Sequence, residues 1–154
     1  MTNQILCQSP LGPLTLTASE NALLSLDFGD TRTSGDTPSP ILEQAVRELA
    51  EYFAGTRKDF TIPLSPAGTP FQQKVWAALL TIPYGRTASY GEIAAKINKP
   101  GGAVAVGQAN SRNPIPILIP CHRVIGADGK LVGYTGGMHI KEALLAIEGI
   151  SCGK

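Results

Sequence analysis

Length, composition and charge describe one ordinary domain or two small lobes. The chain has 154 residues and a net charge of +1; 43% of its residues are hydrophobic and 16% charged, which is typical of a globular protein and excludes a disordered one. No apolar stretch approaches the ~20 residues that span a bilayer, and no basic and apolar leader opens the chain. We therefore expect a cytoplasmic protein with no membrane contact.

The first lobe, residues 1–67, is predicted to be structural. Turn residues separate three strand-like segments that predict an antiparallel meander, at residues 4–8, 13–18 and 22–28. Ser39 and Pro40 are typical of a helix start, and apolar residues then recur at helical spacing up to Gly55. Residues 59–64 predict a last strand. Nothing in this lobe indicates chemistry.

The second lobe, residues 68–154, is predicted to be helical. Thr69 with Gln72, and Ser89 with Glu92, have the spacing of capping boxes, so each pair predicts a helix start. A turn is predicted at 128–129, a glycine-rich bend at 133–137 and a last helix at 140–147. The whole chain therefore predicts an α+β fold, with a small antiparallel sheet and helix followed by a helical lobe that carries a cysteine loop.

A third helix is predicted over residues 103–112, where almost all side chains are small. Together with the helix that begins after Ser89 and the turn at 98–102, it is typical of a helix-turn-helix. An ordinary helical hairpin has the same pattern. Small residues favour nucleic acid, because they let a backbone approach closely where a packed core would want larger groups.

Charge is distributed unevenly between the lobes. Residues 1–67 contain four basic and eight acidic residues, whereas residues 68–154 contain nine basic and four acidic ones. A basic second lobe favours a polyanionic partner, although many solvated surfaces have a similar excess.

The pentapeptide Pro-Cys-His-Arg-Val at residues 120–124 is the strongest chemical signal in the chain. It follows an apolar run at 113–119 whose prolines predict a rigid approach. A free thiol titrates near ~8.5, so Cys121 needs a base or a positive charge beside it, and His122 and Arg123 supply both. If this segment is extended, adjacent side chains point apart, and His122 reaches Cys121 through a water. A buried core cysteine beside a surface histidine is the alternative.

The three cysteines, Cys7, Cys121 and Cys152, are odd in number and far apart. They form neither a disulfide framework nor a spaced zinc site, which favours a free thiol in a reducing compartment. We expect no metal and no cofactor.

Several motifs in a fixed order relate residues 69–149 to a known family. Besides residues 120–124 they are Asn113-Pro114, the glycine-rich segment 133–137 and the segment 141–149. With these motifs the chain resembles the O6-alkylguanine-DNA alkyltransferases, also called methylated-DNA–protein-cysteine methyltransferases. The resemblance implies a monomeric DNA repair protein that binds double-stranded alkylated DNA in the minor groove through its helix-turn-helix, on the nucleoid. It transfers the alkyl group of O6-alkylguanine irreversibly to its own cysteine; activity on O4-alkylthymine stays open.

The resemblance also implies individual roles. Cys121 matches the acceptor, His122 the histidine that deprotonates it through a water, and Glu148 the carboxylate that orients this histidine. Asn113 matches the asparagine that braces the loop, and Tyr134 the tyrosine that protonates the departing guanine. The implied substrate pocket includes Pro116, Thr135, Gly136 and Lys141. Tyr90 matches the tyrosine that rotates the target phosphate. The other implied DNA contacts are Ala103, Val104, Ala105, Gly107, Arg112 and Arg123. Arg123 and the pocket residue Lys141 are expected to support the site rather than take part in chemistry.

These roles agree with the chemistry of the reaction. Displacement at an O-alkyl carbon needs a thiolate, a base in the right tautomer and a proton donor for the leaving group. Guanine O6 lies inside the base stack, so the nucleotide must be flipped out at a cost of a few kcal/mol.

Val104 departs from the family pattern. The family usually carries an arginine at this position of the recognition helix, where it fills the gap left by the extruded nucleotide. Valine is too short to span the stack and offers no hydrogen bond, though it can act as a weak apolar wedge. We expect the transfer chemistry to survive and flipping from duplex DNA to be weakened.

Two other classes of function compete with this interpretation. A non-catalytic sensor of alkylated DNA, of the alkyltransferase-like type, lacks a cysteine at the matching position, whereas Cys121 is present here. A cysteine hydrolase using Cys121 and His122 needs an oxyanion hole and turns over, whereas a transferase keeps a permanent adduct.

Overall fold

The computed structural model describes residues 2–126, 134 and 137–150 and divides the chain into two compact units, Met1–Ala67 and Gly68–Lys154. Of the predicted elements, the turn at 128–129 and most of the bend at 133–137 lie outside the described residues. No helix within the described part of the chain is long and apolar enough to cross a membrane.

The first unit is an antiparallel sheet packed against one helix. The strands β1 (Asn3–Cys7), β2 (Leu14–Ala18) and β3 (Leu23–Phe28) are hydrogen-bonded in that order, and α1 (Pro40–Phe53) contacts all three. The hydroxyl of Ser39 caps α1 by accepting a hydrogen bond from the Leu42 amide. Between sheet and helix lies a core of fully buried side chains, among them Leu14, Leu16, Leu23, Leu42, Leu49 and Tyr52. The predicted meander and helix are confirmed.

The strand predicted over residues 59–64 is wrong. Only an isolated bridge joins Leu23 to Leu64, and Pro63 has no N–H to donate to a ladder. The amides of Thr61 and Ile62 instead donate to the Glu48 carboxylate on α1, at 2.9 and 3.4 Å. The amides of Thr61 and Ile62 are therefore satisfied by a helix side chain, and the segment meets β3 only at the bridge, where the Pro63 carbonyl accepts from the Leu23 amide at 2.9 Å.

Glu48 is 1% exposed and also accepts hydrogen bonds from the side chains of Thr61 and Gln44, at 2.6 and 2.9 Å. Burial raises the pKa of this carboxyl, but the hydrogen bonds outweigh burial and hold the pKa below its usual range. Glu48 therefore stabilises the fold above the pKa of the unfolded chain, and this stabilisation is lost as the pH falls through the folded-state pKa.

We expect Glu48→Gln to lower the free energy of unfolding by about 2 kcal/mol at pH 7, because the amide cannot replace a charged acceptor for four donors. The deficit relative to wild type is expected to shrink as the pH falls toward 3. Urea denaturation across this pH range measures it, with Glu43→Gln, an exposed position on the same helix, as the matched control. A deficit that is independent of pH would contradict this role for the Glu48 charge.

The second unit is built on three short helices that pack on one another, α2 (Pro70–Leu79), α3 (Tyr90–Lys96) and α4 (Ala103–Ser111). Both predicted capping boxes are present, at Thr69 and at Ser89. The indole N–H of Trp76 on α2 donates to the carbonyl of Ala109 on α4 at 2.9 Å. This bond fixes the end of α4 from which the chain continues to Cys121.

The α3–α4 pair has the predicted helix-turn-helix layout. Its turn contains two residues with left-handed backbone, Asn98 (φ 60°) and Gly101 (φ 82°), which are types that tolerate this conformation. A Cβ atom on Gly107 of α4 would meet the ring of Tyr90 at 3.7 Å, so the two helices lie close together. The first turn of α4 is left exposed.

A two-residue parallel ladder joins β4 (Ala88–Ser89) to β5 (Val124–Ile125). It was not predicted, because two residues carry no periodic signal. The ladder ties the start of α3 to the chain just after Cys121. The last helix, α5 (Met138–Ile147), begins two residues earlier than predicted and leads into Glu148.

Candidate active site

Cys121 opens a single 3₁₀ turn, Cys121–Arg123, rather than lying in the extended segment considered from the sequence. The turn forms because the Arg123 amide donates to the Pro120 carbonyl at 3.0 Å. The side chains of Cys121 and His122 therefore do not point to opposite sides as they would on a strand. Cys121 is 1% exposed, so a reaction partner must enter the protein to reach its sulfur.

Asn113 closes the loop that leads to the cysteine. Its Nδ2 donates to the Ile119 carbonyl at 2.8 Å, and its Oδ1 accepts from the Ile115 amide at 2.9 Å. Ile117, between them, has a φ of 76°, a left-handed conformation that costs a β-branched residue energy. The rigid approach expected from the prolines is thus held by one buried amide, consistent with the bracing role implied for Asn113.

His122 and Glu148 form a buried pair behind the cysteine. The imidazole Nε2 lies 2.7 Å from Glu148 Oε2, and both side chains are fully buried. With the carboxylate as acceptor, Nε2 carries the proton and Nδ1 presents a lone pair. Among the described residues Nδ1 has no hydrogen-bond partner, although it is buried. The imidazole is therefore oriented on one side and available as a base on the other.

Two further groups hold the Glu148 carboxylate. Arg123 donates to it from Nε at 2.8 Å and from Nη2 at 3.0 Å, and the Gly85 amide donates to it at 3.1 Å. The remaining terminal nitrogen of Arg123, Nη1, donates to the Ile82 carbonyl at 2.7 Å. Arg123 was predicted among the DNA contacts, but it is 7% exposed and its guanidinium faces this carboxylate. The structure places it within the site rather than on a DNA-facing surface.

Burial sets the protonation state of the resting site. It raises the pKa of the Cys121 thiol, against hydrogen bonds with Asn113 and Tyr134 and the positive charge of Lys141, which lower it. Burial also lowers the pKa of His122, and the hydrogen bond with Glu148 only partly offsets this. At neutral pH the free protein therefore holds a neutral thiol and a neutral imidazole. Such a site needs a proton transfer before its sulfur can attack.

Lys141, predicted at the substrate pocket, is fully buried, and its ammonium donates to the Val124 carbonyl at 2.6 Å. It supports the backbone just after the cysteine turn. Of the other predicted pocket residues, Pro116 is buried in the loop closed by Asn113. Tyr134, predicted to protonate the departing guanine, is half-buried. Thr135 and Gly136 lie outside the described residues.

The predicted DNA contacts on α3 and α4 lie on or near the surface. Tyr90, the first residue of α3, is half-buried, and its pKa is raised by burial and by the negative charge that Cys121 can carry. Val104 is 77% exposed in the first turn of α4. Ala103, Ala105 and Gly107 are partly exposed, and Arg112 is exposed at the end of the helix.

Sequence reasoning missed several residues that hold the site. Asn110 on α4 is buried and donates to the Cys121 carbonyl at 3.4 Å. The Tyr84 hydroxyl donates to the Ile147 carbonyl at 3.1 Å, and its ring lies 5.8 Å from the Arg123 guanidinium. Near Tyr84, the local sequence indicates only a turn, from Pro83 and Gly85, and not a contact with the site. Contacts over sixty positions along the chain leave no pattern in a single sequence.

Comparisons with known proteins agree with the fold and the site. The family models for the 6-O-methylguanine DNA methyltransferase, ribonuclease-like domain and DNA binding domain match residues 4–66 and 70–150. A methylated-DNA–protein-cysteine methyltransferase of Methanosarcina acetivorans is 49% identical over 151 residues, covering 94% of this chain and 96% of the relative. The constitutive methylated-DNA–protein-cysteine methyltransferase of Bacillus subtilis is 47% identical over 94% of this chain and 93% of its own length.

Among solved structures, that of Mycobacterium tuberculosis OGT in complex with DNA superposes with a TM-score of 0.87. It is 53% identical and covers 94% of this chain and 91% of that one. The two-unit fold and the buried cysteine centre thus define a cysteine-dependent, DNA-binding transferase. The chain belongs to the 6-O-methylguanine DNA methyltransferase family.

Proposed function

We propose that this protein repairs O6-alkylguanine in double-stranded DNA by transferring the alkyl group, irreversibly and once, to Cys121. The observation that carries this proposal is the buried Cys121 next to a histidine that is oriented by Glu148 and whose buried Nδ1 has no hydrogen-bond partner among the described residues. The test is the intact mass of the protein after incubation with an O6-methylguanine oligonucleotide. A gain of one methyl group that persists supports transfer; binding with no adduct would favour a sensor, and repeated turnover a hydrolase.

The proposed reaction uses the groups of this site in turn. A water bridges the Cys121 thiol to Nδ1 of His122, which takes the proton and becomes an imidazolium stabilised by Glu148. The thiolate attacks the alkyl carbon, so that a carbon–sulfur bond forms as the bond from carbon to guanine O6 breaks. The departing guanine takes a proton from the Tyr134 hydroxyl. No cofactor is required, because the electron pair of the broken bond leaves with guanine.

Access to a sulfur that is 1% exposed requires the target base to leave the stack. We propose that α4 lies in the minor groove, with its small residues against the backbone, and that Tyr90 rotates the target phosphate. Binding by a monomer is then driven by the phosphates. Unit 2 carries both the DNA contacts and the chemistry, and residues 1–67 have a structural role.

We expect Glu148→Gln to slow alkylation at least 100-fold, the lower end of what a positioned base contributes. The amide no longer holds the His122 tautomer or stabilises the imidazolium. Affinity for DNA is expected to change less than twofold, since the pair is buried away from the surface. Single-turnover rates and binding curves measured side by side decide this, and equal losses in both would point to a structural role for Glu148.

A further inference from the structure

The Arg123 guanidinium and the His122 imidazole compete for one carboxylate. Glu148 Oε2 accepts from His122 Nε2 at 2.7 Å and from Arg123 Nη2 at 3.0 Å, while Oε1 accepts from Arg123 Nε at 2.8 Å and from the Gly85 amide at 3.1 Å. The arginine is fixed in turn by the Ile82 carbonyl at 2.7 Å. Both carboxylate oxygens are thus partly neutralised by a cation that cannot lose its charge.

This sharing matters because an unshared buried carboxylate would draw a proton onto its histidine. An imidazolium formed before the reaction cannot accept the thiol proton, so the base would be consumed at rest. Among the described residues, the charged or titratable groups around His122 are Glu148, Arg123, Lys141 and Cys121. While the thiol is neutral, only Glu148 of these four favours a resting imidazolium, and it is the group that Arg123 holds.

We propose that Arg123 is a positioning residue that lets Glu148 orient His122 without protonating it, so that His122 stays neutral until the thiol gives up its proton. This inference rests on the proposed function, because a neutral His122 matters only if it takes the proton of the Cys121 thiol. The charge state of His122 can nevertheless be measured in the free protein, without any transfer. The arrangement also accounts for the burial of an arginine that the sequence placed at a DNA contact.

The test is the titration of the imidazoles by NMR in the wild-type protein, Arg123→Gln and Arg123→Lys. The chain has two histidines, and His139 is exposed, so it serves as the internal reference. Arg123→Gln removes the charge, and we expect the His122 midpoint to rise by about one pH unit or more, a tenfold change in proton affinity. Arg123→Lys keeps a charge but not the two-pronged contact, so a smaller rise is expected. The His139 midpoint is expected to stay fixed.

Arg86→Gln is the matched control, because it removes an exposed arginine from the segment just after Gly85. It is expected to leave both midpoints unchanged. The pH dependence of the rate of reaction with free O6-benzylguanine tests the same effect on function. In Arg123→Gln the pH at which this rate falls on the acid side is expected to rise by the same amount as the His122 midpoint. The rate constants are taken from the time course of alkylation, because unfolded protein lowers the amplitude of this time course and not its rate constant.

An unchanged or lowered His122 midpoint in Arg123→Gln overturns the inference and leaves Arg123 a purely structural ion pair. If that variant does not fold, Arg123→Lys decides by the same criterion. A raised midpoint in a protein that never accepts an alkyl group would support the inference and refute the proposed function, so the two can fail separately.

Discussion

Replacing Cys121 by alanine is expected to abolish alkyl transfer completely while leaving DNA binding within about twofold of wild type. In the proposed reaction the alkyl group ends on this sulfur, so a protein without the sulfur cannot form the adduct. The alanine also removes a side chain that is only 1% exposed, so the surface is unchanged. Intact mass after incubation with an O6-methylguanine oligonucleotide measures transfer, and a binding titration with the same oligonucleotide measures affinity.

The other cysteines provide the controls. Cys7 is buried in the first unit, and burial raises the pKa of its thiol, so it has neither access to DNA nor an activated sulfur. Cys7→Ala and Cys152→Ser are each expected to take up one methyl group at the wild-type rate. Peptide mapping of the alkylated wild-type protein is expected to place the methyl group on Cys121. Methyl uptake by the Cys121→Ala protein, or a second methyl group in wild type, would contradict the assignment.

The sequence was sufficient to predict local structure where the group that decides it lies within three or four positions of the group it satisfies. Ser39, Thr69 and Ser89 cap their helices as predicted, because the hydroxyl and the amide it satisfies belong to one turn. The prediction of a strand at 59–64 was wrong for the opposite reason. Its pattern resembled a strand, but its amides are taken by Glu48 from another element, and such a partner has no local signature.

The candidate site divides in the same way. The nucleophile and its base are adjacent in sequence, so the pair could be predicted from the pentapeptide itself. Glu148 was reached only through the family resemblance, and the burial of Arg123 was not predicted. The resemblance grouped Arg123 with the DNA contacts, whereas in the structure it pairs with a carboxylate 25 positions further along the chain. The energetics of a buried ion pair depend on geometry that a sequence does not carry.

Val104→Arg is expected to accelerate repair of O6-methylguanine in duplex DNA by about tenfold or more. Val104 is 77% exposed in the first turn of α4, where an arginine could fill the vacated stack and pair with the orphaned base. A hydrogen bond to a charged group is worth roughly 1.5–3 kcal/mol, which is of the same order as the cost of extruding a base. Each ~1.4 kcal/mol of barrier is tenfold in rate. Single-turnover rates on a duplex containing one O6-methylguanine measure the gain.

Two controls separate nucleotide flipping from chemistry and from charge. Free O6-benzylguanine needs no flipping, so its rate is expected to be the same in Val104→Arg and wild type. Gln108→Arg adds the same charge to an exposed position one turn further along α4. It is expected to tighten duplex binding without accelerating transfer at saturation, because the arginine that fills the stack is implied at position 104 and not one turn later. If Val104→Arg leaves the duplex rate unchanged, or if Gln108→Arg accelerates transfer equally, then Val104 does not stand at the point where the stack opens, and another residue must hold the flipped state.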